Sequence, residues 1–334
     1  MPRPPACQIR FTFRVPDFAQ TPKKEFYDAA LEMAQWADEN DFQTVILSEH
    51  HCLEDGYLPS PLVMGAAVAA RTQKILINVS ALLAPLHDPV RLAEDIAVLD
   101  IISGGRFSIT AGLGYREIEY HAMSKEFRRR GKILDEVLET LLKAWTGEPF
   151  EYRGQTIQVT PTPVTKPHPF VVVGGSTPAA AKRAARFGLP FGPPIHDDDL
   201  NALYMSECEK HGVKFPYVVD PIEPWMLFVS EDPDRSWAQI GRHYLHDAMT
   251  YASWQRPDQR SYQHSLATNI DELRTEGKYR VLTPDECIEY AKQPGAAFRH
   301  FPLGGGIPPE LGWQSLETFK NKVMPALATS QENR

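Results

Sequence analysis

The sequence predicts a single (β/α)8 TIM barrel, an α/β fold, over residues 1–334, with insertions in its second half. In the first half, apolar segments of strand length alternate four times with segments of helical periodicity. Parallel strands need such crossover helices, and eight strand–helix units that close on themselves form a barrel. The composition, 43% hydrophobic and 23% charged, is that of an ordinary soluble globular protein, and barrels of this length are commonly one domain.

The first half of the chain is regular. Helix starts are marked by Ser60-Pro61 and Asp88-Pro89, since serine or aspartate caps a helix and proline suits its first turn, and Gly104 and Gly147 mark helix ends. Helices are therefore predicted at residues 23–40, 60–70, 88–103 and 126–146. The apolar runs between them predict strands at residues 9–15, 45–51, 74–83 and 106–111.

The second half is less regular. Residues 148–169 contain five prolines and are predicted to be an insertion with a short hairpin. Residues 255–281 are polar and aperiodic, and they are predicted to be an insertion or a lid. Strands are predicted at residues 170–173, 189–192, 225–229 and 298–303, and helices at residues 178–188, 199–211, 233–254, 283–293 and 316–327.

Charge and cysteine content limit the classes of function. A formal net charge of −8 and a pI near 5.8 argue against a nucleic-acid partner, because such proteins usually present a basic face. The four cysteines are far apart and predict neither a zinc site nor a disulfide framework. The N-terminus has no signal-peptide pattern, and no apolar segment is long enough to cross a bilayer. We therefore expect a cytoplasmic enzyme with a small-molecule substrate and no membrane partner.

The chemistry of a barrel lies at the C-terminal ends of its strands. The second strand runs into Glu49, His50 and His51, and burying a carboxylate and two imidazoles is costly unless they are paired or used. These three residues are the candidate catalytic group, although a purely structural role is equally open from this segment alone. The ends of the next strands supply candidate cofactor-binding residues, namely Ser80, Ala81, Gly112, Leu113, Gly174, Gly175, Ser176 and Thr177.

The segment Gly174-Gly175-Ser176-Thr177-Pro178 is a candidate phosphate site. Its glycines allow a ligand to approach the backbone, and the N–H groups of Ser176 and Thr177 lie at the positive end of the following helix. Thr177 is expected to cap that helix and Pro178 to occupy its first position. An ordinary capped helix after a tight turn is the alternative. The segment matches neither G-x-G-x-x-G nor a P-loop, so nothing favours a dinucleotide or a nucleoside triphosphate.

Several segments together resemble the bacterial luciferase-like monooxygenase family. They are Val45-Ile46-Leu47-Ser48-Glu49-His50-His51, Asn78-Val79-Ser80-Ala81, His87-Asp88-Pro89-Val90-Arg91-Leu92-Ala93-Glu94-Asp95, Leu99-Asp100-Ile101-Ile102-Ser103-Gly104-Gly105-Arg106-Phe107, and the region from Phe170 to Gly188. The resemblance is strong in the first half and faint beyond Phe191. It is specific to the superfamily and to no single substrate.

The resemblance implies a TIM barrel, usually dimeric, that binds reduced FMN delivered by a separate flavin reductase and uses O2. His50 matches a histidine assigned acid–base work, and Glu49 and His51 match its neighbours. Ser80-Ala81 matches a position that is often a cis peptide beneath the flavin ring, and Gly175 to Thr177 match the phosphate site. Gly112 and Leu113 depart from luciferase, which has a reactive cysteine and a phosphate-binding arginine there, so aldehyde-dependent light emission is not expected.

Two other reactions fit the same residues. A related branch of the superfamily uses the deazaflavin F420 for hydride transfer, although the adjacent histidines favour the oxygen-using branch. A metal-dependent hydrolase is the second alternative, since many barrels place histidine ligands at strand ends. Against it, adjacent residues of an extended strand point in opposite directions, so His50 and His51 would not share a metal ion. No metal site is therefore predicted.

Overall fold

Strands alternate with helices along the chain in this computed structural model, which describes residues 5–221, 226–255, 261 and 263–332, without the side chains of residues 329–332. The strands are β1 (Ala6–Phe11), β2 (Thr44–Leu47), β3 (Leu76–Leu82), β4 (Phe107–Ala111), β5 (Phe150–Tyr152), β6 (Gln155–Ile157), β7 (Phe170–Gly174), β8 (Phe191–Gly192), β9 (Met226–Val229), β10 (Tyr279–Leu282) and β11 (Ala297–His300).

Two helix starts in the first half were predicted from a capping residue followed by proline, and only the second has the expected cap. Ser60 precedes its helix, but its side chain makes no capping hydrogen bond. Asp88 caps its helix by accepting hydrogen bonds from the N–H groups of Val90 and Arg91, and Gly104 ends that helix with a φ of +64°. The helices are α1 (Lys23–Glu39), α2 (Pro61–Arg71), α3 (Pro89–Ser103), α4 (Glu117–Ala122), α5 (Arg130–Ala144), α6 (Pro178–Phe187), α7 (Asp198–His211), α8 (Pro233–Trp254), α9 (Ile270–Glu276), α10 (Pro284–Tyr290), α11 (Pro309–Thr318) and α12 (Met324–Glu332).

The chain groups into two compact units. The first unit is drawn from Met1–Ile46, Leu53–Leu58 and Ile222–Arg334, and the second from Leu47–Cys52 and Pro59–Pro221. The single-domain organisation expected from the sequence stays a prediction.

The first unit contains strands in the order β10-β9-β11-β1-β2, and the pairs β10–β9, β9–β11 and β11–β1 are parallel. Its core includes a cluster of aromatic and aliphatic side chains from β9, α8 and β10. Phe228, Tyr244 and Tyr279 are buried there, and Phe301 stacks on Tyr244 at a centroid distance of 6.1 Å.

The second unit contains parallel strands in the order β3-β4-β7-β8. The small two-stranded hairpin β5–β6 belongs to the same unit and is antiparallel, as expected for the proline-rich insertion. The side chain of Trp145 after α5 is buried and donates from its ring nitrogen to the carbonyl of Ala93 on α3, at 3.1 Å. Helices on the parallel strands thus have the α/β arrangement predicted from the alternation of strands and helices.

Five sequence predictions need correction, and three of them concern strands. The first strand was predicted at residues 9–15, but β1 begins at Ala6 and ends at Phe11. Residues 255–281 are not simply an insertion, because α9 and β10 lie there and β10 pairs with β9; residues 256–260 and 262 lie outside the described part. Asn269 caps α9 by accepting from the N–H of Glu272, but elements of seven and four residues are too short for a periodic signal. The strand β2 ends at Leu47 and does not reach His51, so the site residues lie in a loop.

The other two corrections concern helices. The closing helix begins at Pro309, earlier than predicted, because Gly312 obscured its first turns. A Cβ at Gly312 would lie 2.7 Å from the carbonyl oxygen of Pro302, so the close approach requires glycine there. The helix predicted from residue 126 begins at Arg130, and α4 precedes it unpredicted. Among the described residues, no helix is both long and apolar enough to span a membrane.

Candidate functional site

The predicted cofactor residues lie at the ends of neighbouring strands of the second unit. Ser80 pairs in register with Thr110, Ala111 with Val173, and Gly174 with Gly192. Adjacent strands are about 4.8 Å apart, so Ser80, Gly112 and Gly174 occupy three consecutive strand ends. The structure therefore brings together the residues that the sequence predicted from separate segments.

Small residues are required along this row of strand ends. A Cβ at Gly112 would lie 2.8 Å from the Cβ of Ala81, and one at Gly174 would lie 2.9 Å from Cγ2 of Thr110. Gly192, which the sequence analysis did not single out, has the same constraint against Val172. Distances below 3 Å leave no room for a side chain, so the strand ends are kept bare of side chains at these positions.

The peptide bond between Ser80 and Ala81 is cis, as the family resemblance predicted. The hydroxyl of Ser48 donates to the carbonyl oxygen of Ser80 at 2.8 Å, and Ser48 itself is buried. This hydrogen bond ties the loop that carries Glu49, His50 and His51 to the end of β3. The candidate catalytic loop and the first cofactor strand are thus joined directly.

The turn between β7 and α6 has backbone N–H groups without acceptors. Within the described residues, the N–H groups of Ser176 and Thr177 donate no hydrogen bond, while Pro178 occupies the first helical position as predicted. Gly175 has a φ of +156°, and a Cβ there would lie 2.6 Å from the Cβ of Ala180. The expectation that the Thr177 side chain caps the helix is wrong, because it makes no capping hydrogen bond. Two donors therefore remain available at this end of α6.

Glu49 is buried, and it organises the loop. Its Oε1 accepts from Nε2 of His51 at 3.0 Å and from Nε2 of His87 at 2.9 Å, and its Oε2 accepts from the backbone N–H of Leu83. Burial alone would raise the pKa of Glu49, but the hydrogen bonds and charges of the two histidines lower it to about 2. Burial likewise opposes the charged form of His87, but its hydrogen bond to Glu49 and the charge of that carboxylate outweigh burial and raise the pKa of His87.

His50 has a different carboxylate partner. Its Nδ1 lies 2.9 Å from Oε1 of Glu119, and its Nε2 lies 3.4 Å from the hydroxyl of Tyr115. The same Glu119 oxygen accepts from the N–H of His51 at 2.9 Å and from Arg116 at 3.0 Å. Burial would raise the pKa of Glu119, but the bond and charge of His50, the His51 N–H and Arg116 together lower it.

Sequence reasoning missed two of these residues. His87 was not singled out as a site residue, and it bonds Glu49. Glu119 was not considered, and it lies 69 positions from His50 on a six-residue helix that has no periodic signal. The one available signal was an acidic residue close after the glycine turn at Gly112 to Gly114. The carbonyl of Leu113 accepts a hydrogen bond from the hydroxyl of Tyr120.

Within the described ranges, no group of three or more His, Cys, Asp and Glu side chains is arranged to hold a metal ion. The two imidazoles of the loop instead pair with different carboxylates. The alternative of a metal-dependent hydrolase therefore has no set of ligands in that part of the chain.

The sequence profile of luciferase-like monooxygenases matches residues 10–287, most of the chain. This protein belongs to the luciferase-like monooxygenase family. A relative from Acinetobacter baylyi, the oxygenase component of a flavin-dependent trigonelline monooxygenase, is 26% identical over 94% of both chains. A 4-hydroxyprotoasukamycin monooxygenase from Streptomyces nodosus subsp. asukaensis is 27% identical over 87% of this chain and 82% of its own. The family predicted from the sequence motifs is confirmed.

Several solved structures share the fold of this chain. Monooxygenase RslO1 from Streptomyces bottropensis superposes with a TM-score of 0.73 at 24% identity, over 96% of this chain and 99% of its own. The oxygenating constituent of a Pseudomonas putida 3,6-diketocamphane monooxygenase, solved with FMN, has a TM-score of 0.70 at 18% identity, over 97% and 98%. An F420-dependent secondary alcohol dehydrogenase has a TM-score of 0.65 at 16% identity, over 97% and 99%. The predicted TIM-barrel class of α/β fold is confirmed by these likenesses.

Proposed function

We propose that this luciferase-like protein is a flavin-dependent monooxygenase that uses reduced FMN and O2 to oxygenate a small organic substrate. When bound, reduced FMN supplies two electrons, with which one oxygen atom enters the substrate and the other leaves as water. The observation that carries the proposal is that the second unit contains both a glycine turn with two N–H donors left free by the described residues and a histidine that a buried carboxylate holds in place.

The turn between β7 and α6 fits the phosphate of FMN. Gly175 keeps the backbone clear of side chains, and the N–H groups of Ser176 and Thr177 have no other acceptor in the described part of the chain. The positive end of the α6 dipole adds a favourable interaction with an anion. The proposed place of the flat ring is over the row of strand ends, where Ala81 is small and Gly112 and Gly174 have no side chains. Leu113 follows Gly112 there.

His50 is the proposed acid–base catalyst of the loop. Histidine side chains commonly gain or lose a proton near neutral pH, so an imidazole at this position can take up or release a proton as oxygen is transferred. Glu49 and His51 belong to the same site. Because Glu49 bonds His51, His87 and the N–H of Leu83, its proposed role is to hold the loop against the end of β3.

A separate flavin reductase is the proposed source of reduced FMN. The Acinetobacter baylyi relative is described as the oxygenase component of its monooxygenase, which supports a second, reducing component for this chain too. Oxygen consumption that requires an added flavin reductase and NADH, in the presence of a substrate, is the expected result. Consumption sustained by NADH alone would contradict a separate partner. The expected cytoplasmic location stays a prediction.

The experiment that tests the cofactor is a pair of titrations of the purified protein, one with reduced FMN under argon and one with F420. Saturable FMN binding, with faster flavin oxidation and substrate oxygenation on admitting air, is the expected result. The alternative cofactor is F420, because this chain shares its fold with an F420-dependent secondary alcohol dehydrogenase. Tight F420 binding with no FMN binding would replace the monooxygenase proposal by hydride transfer.

A homodimer is the proposed assembly. The helices α2 and α3 pack together and expose apolar side chains, with Val63 73% and Ile102 48% accessible alongside Val98 and Ile101. Apolar side chains clustered on a surface favour a protein contact. Light scattering should give twice the monomer mass, and Ile101→Glu should shift it to the monomer while Met205→Glu on α7 should not. A monomeric wild type would contradict the proposal.

A further inference from the structure

The loop after β2 presents two adjacent histidines whose protons lie on different ring atoms. Glu49 and Glu119 are both ionised at neutral pH, because their hydrogen-bond partners lower each pKa. An ionised carboxylate can only accept, so a facing imidazole nitrogen must carry the hydrogen. His51 therefore donates from Nε2 to Glu49, and His50 donates from Nδ1 to Glu119. The two rings are held in opposite tautomers.

This assignment leaves Nε2 of His50 with its lone pair when the ring is neutral. That nitrogen lies 3.4 Å from the hydroxyl of Tyr115, which can donate to it. The arrangement of carboxylate, imidazole and hydroxyl is the general geometry in which a base is oriented by a third group. His51 lacks it, because its Nε2 is already committed to Glu49.

Glu119 is itself held rigidly. Arg116 donates to it and also to the carbonyl of His51 at 2.6 Å, so the guanidinium connects α4 to the loop. The next residue, Tyr120, is fully buried against Leu83 and Leu86, and its hydroxyl donates to the carbonyl of Leu113. These contacts keep α4 in place and direct the Glu119 carboxylate at the ring of His50.

We propose that Glu119 is the positioning residue of this site, which holds the proton on Nδ1 of His50 and so makes Nε2, beside Tyr115, the nitrogen that exchanges protons with the reacting atoms. The inference rests on the proposed function only for the last step. The tautomer of His50 is a property of the protein without flavin. An incorrect tautomer assignment can therefore be distinguished from an incorrect monooxygenase proposal.

The direct test is ¹⁵N NMR of histidine-labelled, flavin-free protein, with His50 assigned from a His50→Gln spectrum. The wild type should show His50 protonated on Nδ1. Glu119→Leu removes the acceptor, and the ring should lose that preference. An unchanged Nδ1–H signal in the variant, or an Nε2–H tautomer in the wild type, would overturn the proposal.

Glu119→Gln is the second variant, because it keeps the shape and an acceptor oxygen if the leucine variant fails to fold. The pH at which the His50 ring becomes charged should fall by about one unit, since an adjacent buried carboxylate typically shifts a pKa by about 1–3 units. The matched control is Glu117→Gln, an exposed residue of the same helix, which should leave the midpoint unchanged. Equal midpoints in the wild type and Glu119→Gln would overturn the proposal.

Discussion

At the scale of single residues, the proposed function depends on which histidine nitrogen exchanges the proton. His50 and His51 are adjacent in sequence, yet only His50 has Nε2 directed to a hydroxyl instead of a carboxylate. That difference is set by side chains at positions 49 and 119. It is the reason for which acid–base work is proposed for His50 and a structural role in the loop for His51.

Replacement of His50 by alanine tests its catalytic role. We expect flavin binding to stay nearly intact and turnover to fall by about 100- to 10,000-fold, the usual contribution of a positioned acid–base group. Steady-state oxygen consumption and FMN titration measure the two quantities separately. The exposed His121 on α4 provides the control, because His121→Ala should change neither. Unimpaired turnover in His50→Ala would remove this residue from the mechanism.

A second histidine affects stability instead of chemistry. His300 is buried among Phe42, Phe298 and Phe319, and neither ring nitrogen has a hydrogen-bond partner in the described residues. Burial lowers its pKa from 6.5 to about 3. The folded protein therefore keeps the ring neutral, while the unfolded chain binds a proton below pH 6.5. Stability from this group is complete above pH 6.5 and is lost as pH falls toward 3.

His300→Phe should reduce that loss. From pH 7.5 to 5.5 the wild type should lose about 1.4 kcal/mol of unfolding free energy through this histidine, and the variant should lose that much less. Urea unfolding at the two pH values measures the difference. Part of the pH dependence of the unfolding free energy should remain in the variant, because burial also lowers the pKa of His243, to about 4. The control is His211→Phe at an exposed histidine, which should keep the pH dependence of the wild-type unfolding free energy. The same pH dependence in His300→Phe and the wild type would refute the account.

At the scale of elements, the proposed phosphate site depends on the geometry of the turn before α6. Gly175→Ala would place a methyl group 2.6 Å from the Cβ of Ala180, so the turn must shift and the N–H groups of Ser176 and Thr177 move with it. We expect FMN affinity to fall at least about tenfold, the equivalent of one lost hydrogen bond to a charged group. Fluorescence titration measures the affinity.

Gly188→Ala at the other end of α6 is the matched control. Gly188 has a φ of +66°, and a methyl group there would meet nothing within 4 Å, so alanine adds backbone strain without a clash. It should lower stability by about 1 kcal/mol and leave FMN affinity unchanged. Equal affinity in Gly175→Ala and Gly188→Ala would argue against phosphate binding at the turn.

The same elements explain how far sequence reasoning reached. Long segments such as α1, α3 and β3 were predictable, since their apolar periodicity and caps are local properties. The strand ends at Ser80, Gly112 and Gly174 followed from the alternation of strands and helices. The partner of His50 was not predictable, because α4 has six residues and Glu119 meets His50 only through tertiary packing. Likewise, β10 has four residues and is defined by its pairing with β9.

At the scale of the whole molecule, a buried ionic cluster stabilises the first unit. The guanidinium of Arg14 lies 2.9 Å from Asp247 and also pairs with Asp55, and the side chains of Arg14 and Asp247 are fully buried. Three aromatic rings surround the guanidinium of Arg14, with centroids 4.8–5.1 Å from its central carbon. They belong to Tyr57, Tyr251 and Trp254. Each buried charge of such a cluster is stable only while its oppositely charged partner is present.

Arg14→Met should therefore destabilise the protein strongly. Removing the cation leaves the Asp247 carboxylate buried without its ion pair, which typically costs about 3–5 kcal/mol. Urea unfolding at neutral pH measures the loss. Lys24→Met provides the control, because the ion pair of Lys24 with Asp28 is exposed and should contribute little. A loss from Arg14→Met no larger than that from Lys24→Met would contradict the account.

The central claim is that the second unit binds FMN between the glycine turn and His50, and a crystal structure of the protein with bound FMN tests it most directly. We expect the phosphate oxygens within about 3 Å of the N–H groups of Ser176 and Thr177, with the ring over Ser80-Ala81 and Nε2 of His50 facing it. A phosphate bound away from this turn, or a flavin ring out of reach of His50, would contradict the claim.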